Sequence, residues 1–282
     1  MNTLKDCYTL SNGVKIPCIG FGTWKLLEEE CINSVKCAVE AGYRHIDTAT
    51  AYRNEKSVAE GIRRSGVMRE DIFVTDKLWN SSKGYEATLK ACKKSLEFLG
   101  MEYLDMYLIH WPRSKKHFGD YIELNNETWR AFETLYNDGY VRAIGVSNFL
   151  QHHIEPLMES ARILPMVNQI ELSPQFRQDE IVDFCRNNNI IVEAYAPLAR
   201  GNALNSPQLQ YIANKYKCTP AQVCLSWSLY RGYLPLPKSC NEERIKENAK
   251  TVNICFDDED EKLVDELTVF GRTVADPDDP PF

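Results

Sequence analysis

Short apolar runs alternate with longer amphipathic segments along almost the whole chain. The first stretch differs. Residues 8–17 alternate apolar and polar positions around Asn12–Gly13, a pair that tolerates the positive φ of a tight turn, and they predict a β-hairpin ahead of the main fold. Beyond it, apolar runs predict strands, some running on into loops, at 18–24, 43–47, 71–77, 101–110, 141–149, 166–174, 190–201 and 233–239. Helical periodicity predicts helices at 28–41, 55–65, 84–99, 126–137, 150–160, 178–188, 206–216, 219–230, 241–250 and 258–268. Leu89, Cys92, Leu96 and Leu99 fall on one face of the 84–99 helix, which Gly100 closes. Trp129, Phe132, Leu135 and Tyr136 share a side of the 126–137 helix, and Thr219–Pro220 supplies an N-cap and first turn.

After the hairpin this reading counts eight strand-then-helix units. Strict alternation argues for a parallel sheet, and short apolar runs without a period of two fit strands buried on both faces. No composition break or Pro/Gly/Ser linker divides the chain, so residues 1–282 read as a single α/β domain. The predicted architecture is a closed (β/α)8 TIM barrel with an N-terminal β-hairpin and two additional helices. The rival is an open doubly wound sheet. Its GxGxxG signature is missing, because Gly20–Phe21–Gly22 is followed by Thr-Trp-Lys and no third glycine.

Charge and cysteines narrow the partners. The net charge is -7, from 33 basic and 40 acidic residues, whereas a nucleic-acid or anionic-membrane partner would favour a basic face. The 10 cysteines contain no CxxC pair and suggest a reducing compartment. The N-terminal residues lack an apolar signal core, and no apolar run approaches the roughly 20 residues needed to span a membrane. The expectation is a cytoplasmic protein, and no evident exposed apolar stripe leads to a monomer. None of the 5 histidines forms HExxH, and adjacent His152 and His153 are expected on different sides of a helix, so no metal site is expected.

In a barrel the chemistry sits at the C-terminal ends of strands. Those ends carry Trp24; Asp47 with Tyr52; Lys77 with Trp79; His110 with Trp111; Ser147 with Asn148; Asn168 with Gln169; Tyr195; and Lys238 with Ser239. Singly, each has a bland structural reading: a satisfied polar histidine, a core tryptophan, a loop asparagine or serine. Together, four ionisable residue types and three tryptophans lie at one mouth. The stretch HIDTATAYRNE adds a chemical demand. A tyrosine with its ordinary pKa of about 10 exchanges protons poorly near neutrality, so it needs a nearby cation, and a buried cation needs a carboxylate.

The stretches GFGTW, DTATAYRNE, DKLW, LIHWP, GVSNF, VNQIE, AYAPL and LPKS followed by ER resemble the aldo-keto reductases over essentially the whole chain. The short loops and the tail DPDDPPF look most like the compact subgroup of diketogluconate and methylglyoxal or glyoxal reductases. The resemblance implies reduction of aldehydes and ketones with NADPH, without a metal. It implies a catalytic tetrad of Asp47, Tyr52, Lys77 and His110, with Tyr52 the proton donor, Lys77 lowering its pKa, Asp47 holding Lys77, and His110 orienting the carbonyl. Tyr195 would stack on the nicotinamide, and Ser147, Asn148 and Gln169 would bond its carboxamide. Lys238, Ser239 and Arg244 would grip the adenosine 2′-phosphate, and Glu247 and Asn248 would touch the adenine. Gly22, Thr23, Trp24, Asp47, Ala196 and Leu198 complete the implied cofactor contacts. Trp24, Tyr52, Trp79, His110 and Trp111 would wall the substrate pocket.

Two stretches depart from the family. Asp76 replaces the usual Ser or Thr before the lysine, and strand alternation should turn it toward the helical layer. Ala196 and Ala199 stand where many relatives have Ser and Gly. The short tail predicts an open mouth, which would admit small aldehydes, dicarbonyls and keto-acids. Arg113, Lys115, Lys116 and His117 hint at acidic substrates, and a solvated loop explains them as well. Two other function classes remain: a cofactor-binding sensor or scaffold with little turnover, and a barrel isomerase or lyase. The complete tetrad argues against the first, and Tyr195 with the phosphate grip argues against the second.

Overall fold

A computed structural model describes residues 4–251 and 254–282. Residues 1–3, part of the stretch read for a signal core, lie outside the described residues, as do 252–253. The predicted hairpin is present: β1 (Cys7–Thr9) pairs antiparallel with β2 (Lys15–Pro17), and Gly13 turns at φ 86°. Eight strands follow in a second sheet: β3 (Phe21–Gly22), β4 (His45–Asp47), β5 (Phe73–Leu78), β6 (Met106–Ile109), β7 (Ile144–Ser147), β8 (Val167–Glu171), β9 (Ile191–Tyr195) and β10 (Leu234–Leu236).

All eight are parallel and ordered as in the chain. The first and last strands meet through the Gly20 N–H on the Pro235 carbonyl (3.1 Å) and the Gly22 N–H on the Pro237 carbonyl (3.0 Å). The fold is the (β/α)8 TIM barrel that the alternation predicts. The helices are α1 (Glu28–Glu40), α2 (Glu55–Ser65), α3 (Tyr85–Leu99), α4 (Tyr121–Asn137), α5 (Gln151–Ser160), α6 (Asp179–Asn187), α7 (Pro207–Tyr216), α8 (Pro220–Tyr230), α9 (Glu242–Asn248) and α10 (Asp258–Asp265). Two exceed one per strand: the β9–β10 connection holds both α7 and α8, and α10 follows α9.

Several boundaries differ from expectation; α9 and α10, for example, end before the predicted 250 and 268. The strands are shorter than their apolar runs: β6 to β9 stop where the run continues into the loop that carries the site, whereas β4 and β5 start later than theirs. Helix α4 starts five residues before the predicted 126. Its first turns are held by tertiary contacts, with the buried Asn125 amide on the Pro112 carbonyl (3.1 Å) and Lys83 on the Asn125 Oδ1 (2.8 Å). Periodicity does not report such contacts.

Close packing between barrel strands fixes some positions as glycine. A Cβ on Gly145 would lie 2.6 Å from the Val167 carbonyl oxygen and 2.8 Å from a Leu108 methyl. Gly145→Ala should therefore cost about 1–3 kcal/mol by overpacking. Denaturant unfolding should show a lower midpoint with an unchanged slope.

Candidate active site

The mouth is built on one buried cation. Lys77, on β5, is 0% exposed, and its ammonium has three hydrogen-bond acceptors. These are Asp47 Oδ1 at 2.6 Å, the Thr48 carbonyl at 2.8 Å and Tyr52 Oη at 3.4 Å. An ammonium has three protons, so this set exhausts it. Tyr52 lies on the helical turn Thr50–Tyr52 after β4, with the Lys77 Nζ 5.0 Å from its ring centroid. Because Lys77 donates to Tyr52, the phenol keeps its own proton to donate elsewhere. Burial pushes the Tyr52 pKa up, and Lys77 offsets only part of that rise. Lys77 acts in the expected downward direction, while the loss of hydration outweighs the cation in the net shift.

His110 completes the group of four. Its ring stands edge-on to Tyr52 at 5.7 Å and to Trp79 at 5.3 Å. Burial first, then Lys77, hold its pKa well below the ordinary histidine value, so the imidazole is neutral. Its Nδ1 is buried without a protein partner.

The network continues inward. Asp47 Oδ2 accepts from the Gln169 amide at 2.8 Å, and the same nitrogen donates to Glu193 Oε2 at 2.7 Å. Burial, then Asp47, push the Glu193 pKa up to about 8. His45 lies beside it, 4.0 Å from Glu193 Oε1 and 2.9 Å from Thr75 Oγ1, and burial drops its pKa to about 3. Gln169 thus braces Asp47 with its amide nitrogen, a role that the sequence reading did not give it.

The residues expected at the cofactor cluster around the same mouth. Ser147 Oγ donates to the Gln169 carbonyl (2.9 Å), and Asn148, at φ 63°, donates to the His110 carbonyl (2.9 Å). The Tyr195 hydroxyl donates to Asn148 Oδ1 at 2.7 Å. Asn168 instead bonds the Phe149 carbonyl (2.9 Å). The turn after β9 carries Ala196, Ala199, Arg200 and Gly201 at positive φ (49°, 47°, 54° and 97°), around Leu198. Trp24 lies between the Lys25 ammonium (4.5 Å) and the Arg200 guanidinium (4.8 Å). Thr23 donates to the Asp47 carbonyl (2.9 Å), and Gly22 packs near Lys238.

Lys238 and Arg244 are both exposed and make no ion pair among the described residues. Glu242 pairs with Lys246 at 3.4 Å. Ser239 bonds the Asn241 N–H (3.1 Å), Glu247 accepts from Thr219 (2.8 Å), and Asn248 is buried.

Several residues escaped the sequence reading. Buried Asn54 donates to the Thr23 and Leu26 carbonyls (2.9 Å each) and accepts from Thr48 (2.7 Å), which ties the first two strand-end loops together. The tail corrects the open-mouth expectation. Phe282 packs on Trp79 (4.9 Å) and Trp111 (5.1 Å), and its carbonyl accepts from the Lys115 N–H (2.7 Å). Asp278 anchors that tail at Arg113 (3.3 Å), His152 (2.8 Å) and His153 (3.1 Å).

The two histidines therefore converge, with ring centroids 4.1 Å apart, where the helical reading expected them to diverge. The three residues have metal-ligand chemistry. The Leu150 N–H donates to His153 Nδ1 (3.1 Å), which leaves the proton of the neutral ring on Nε2, facing Asp278. Of the basic loop, Arg113 is engaged with Asp278 and stacks on Tyr121 (4.0 Å), and His117 pairs with Asp120 (3.0 Å). Lys115 and Lys116 are exposed.

Removing Lys77 would leave Asp47 buried without its cation. Lys77→Met should destabilise the fold by about 3–5 kcal/mol, and the double variant with Asp47→Asn should recover part of that loss. Urea unfolding of the three proteins measures both effects.

Comparison with known proteins gives one answer. The aldo/keto reductase family model matches residues 18–269. The chain is 46% identical over 282 residues to a 9,11-endoperoxide prostaglandin H2 reductase of Trypanosoma cruzi, covering 99% of this chain and 97% of that protein. It is also 46% identical over 278 residues to a glyoxal reductase of Bacillus subtilis, covering 98% of each. A crystal structure of a Gox0644 variant in complex with NADPH superposes with a TM-score of 0.91 at 38% identity, over 98% of this chain and 99% of that one. The chain belongs to the aldo/keto reductase family.

Proposed function

We propose that this protein reduces small aldehydes, dicarbonyls and keto-acids to alcohols with NADPH, and that Tyr52 is the proton donor. The observation that carries the reading is the spent ammonium of Lys77, which bonds Asp47, Thr48 and Tyr52 and leaves the Tyr52 proton free to go to substrate. A bound nicotinamide cofactor supplies the hydride to the carbonyl carbon. Tyr52 donates to the carbonyl oxygen as charge grows there, and neutral His110 orients that oxygen and stabilises it. Lys77, neutralised by Asp47, eases the loss of the phenolic proton.

The residues present fit the cofactor. Two exposed cations with no ion pair among the described residues, Lys238 and Arg244, suit a dianionic 2′-phosphate, with Ser239 beside them. Tyr195 is braced by Asn148 for stacking, and Ser147, Asn148 and Gln169 stand at the carboxamide end. Gly22, Thr23, Trp24, Ala196 and Leu198 form the rim between, and Glu247 and Asn248 the adenine end. Trp24, Trp79, Trp111 and Phe282 give the substrate aromatic walls, which favours compact carbonyl compounds. A relative named glyoxal reductase supports the dicarbonyl part. No helix of the described residues is long and apolar enough to cross a membrane. Among the described residues no disulfide joins any of the ten cysteines, which suits a reducing setting such as the cytosol.

The test is NADPH oxidation with methylglyoxal and a plain aldehyde. Tyr52→Phe should lower kcat by about 10²–10⁴-fold. Two proteins that bind NADPH without turnover would instead favour a sensor, and equal rates would refute the proton-donor assignment. Arg244→Gln should raise the KM for NADPH by about ten- to hundredfold and leave that for NADH nearly unchanged. Because His110 stays neutral, wild-type kcat/KM should show no acid limb near the ordinary histidine pKa of about 6.5.

A further inference from the structure

Asp76 carries chemistry that the tetrad does not use. It precedes Lys77 on β5, and strand alternation turns it outward to α2 and α3. It is 0% exposed, and neither carboxyl oxygen meets a hydrogen-bond donor. Its neighbour is the carboxyl of Glu55, the first residue of α2, which is 4% exposed and has Oε1 equally without a donor. The other groups facing the pair are Lys94, Ser95 and Cys92 of α3, Tyr107 of β6, and Lys77 and Tyr52 from the tetrad. Ser95 and the Lys77 backbone N–H lie close enough to lower the Asp76 pKa, but neither reaches hydrogen-bonding geometry with its carboxyl. The Ser95 hydroxyl lies 3.4 Å from that of Thr50, and the Tyr107 hydroxyl is itself unpartnered.

Two buried carboxylates side by side resist double ionisation, because burial and mutual repulsion both disfavour the second charge. One proton between them removes a charge and supplies the missing donor. The N-terminus of α2 favours the negative charge on Glu55, so the proton belongs mainly to Asp76. Burial, then Glu55, push the Asp76 pKa up to about 7.

We propose that Asp76 and Glu55 share one proton as an acid–carboxylate pair, and that this pair positions the strand of Lys77 against the segment of Tyr52. Asp76 is bonded to Lys77 in the chain, Glu55 follows Tyr52 by three residues, and the turn Thr50–Tyr52 packs on β5. The positioning role rests on the proposed parts of Lys77 and Tyr52; the shared proton does not.

The pH dependence has a definite sign. The Asp76 pKa is raised on folding, so its favourable contribution is complete below the ordinary carboxyl range and is lost as pH rises through about 7. Glu193 acts in the same direction, so the measurement is a difference between proteins.

Infrared spectra of wild type should show a protonated buried carboxyl that titrates near neutrality and is absent from Asp76→Asn. The Tm of wild type relative to Asp76→Asn should fall between about pH 5 and about pH 8.5. Asp76→Ala should lower kcat by about tenfold or more with little change in the KM for NADPH. Asp76→Asn, whose amide can donate to Glu55, should restore kcat and weaken its alkaline decline. Asp76→Ser replaces the alanine variant if that one does not fold. An infrared band unchanged in Asp76→Asn, or a Tm difference independent of pH, overturns the shared proton. Unchanged kcat in the truncated variant, or no rescue by asparagine, overturns the positioning role. The infrared and Tm measurements use no substrate, so they stand whatever Tyr52→Phe shows.

Discussion

Everything at this mouth follows from placing an ammonium where water cannot reach it. Lys77 has no exposed side-chain surface, and an unpaired buried cation costs several kcal/mol. Asp47 supplies the opposing charge, and its second oxygen then needs a donor. Gln169 provides one and thereby reaches Glu193. A second full negative charge there would undo the balance, and burial keeps Glu193 protonated at neutral pH, with a pKa of about 8. His45, at about 3, stays uncharged beside Lys77's field. The column from Lys77 to His45 therefore holds one positive and one negative charge. This polar filling replaces the branched apolar layers usual in barrels and keeps the strand ends in register with the chemistry.

The parts of this arrangement legible in the chain were those written in local periodicity and in strand-end residue types. Apolar runs gave eight strands because a strand buried on both faces must be apolar throughout, and Asp47, Tyr52, Lys77 and His110 stood out because ionisable residues rarely end such runs. The structure brings these four together. Contacts between distant segments were not legible. Nothing in DPDDPPF announces that Phe282 will pack between Trp79 and Trp111, since its prolines only exclude helix. His152 and His153 read as divergent from helical spacing, yet they lie at the N-terminal turn, where the Leu150 N–H turns His153 back toward Asp278. Asn54 carried no signal of its own in the chain, yet its three buried hydrogen bonds join loops far apart in sequence.

Asp76 shows how a departure from a family pattern becomes a physical question. Period-two alternation correctly turned it toward the helices, away from Lys77. Alternation could not say that a second carboxyl waits there, because Glu55 reads as an ordinary acidic residue at a helix start. Its burial comes from α2 packing on α3 and on the barrel wall, which is tertiary information.

The raised pKa of Tyr52 bears on its proposed role as the proton donor. A donor must hold its proton until charge develops on the carbonyl oxygen, and a phenol whose pKa is lifted by burial does so across neutral pH. Lys77 then matters less for the resting phenol than for the phenolate that transfer leaves behind. An ammonium 3.4 Å away stabilises that anion far more than it perturbs the neutral hydroxyl. Burial and cation pull the resting pKa in opposite directions, but both serve the reaction. Burial strengthens the very interaction that Lys77 makes once the proton has left.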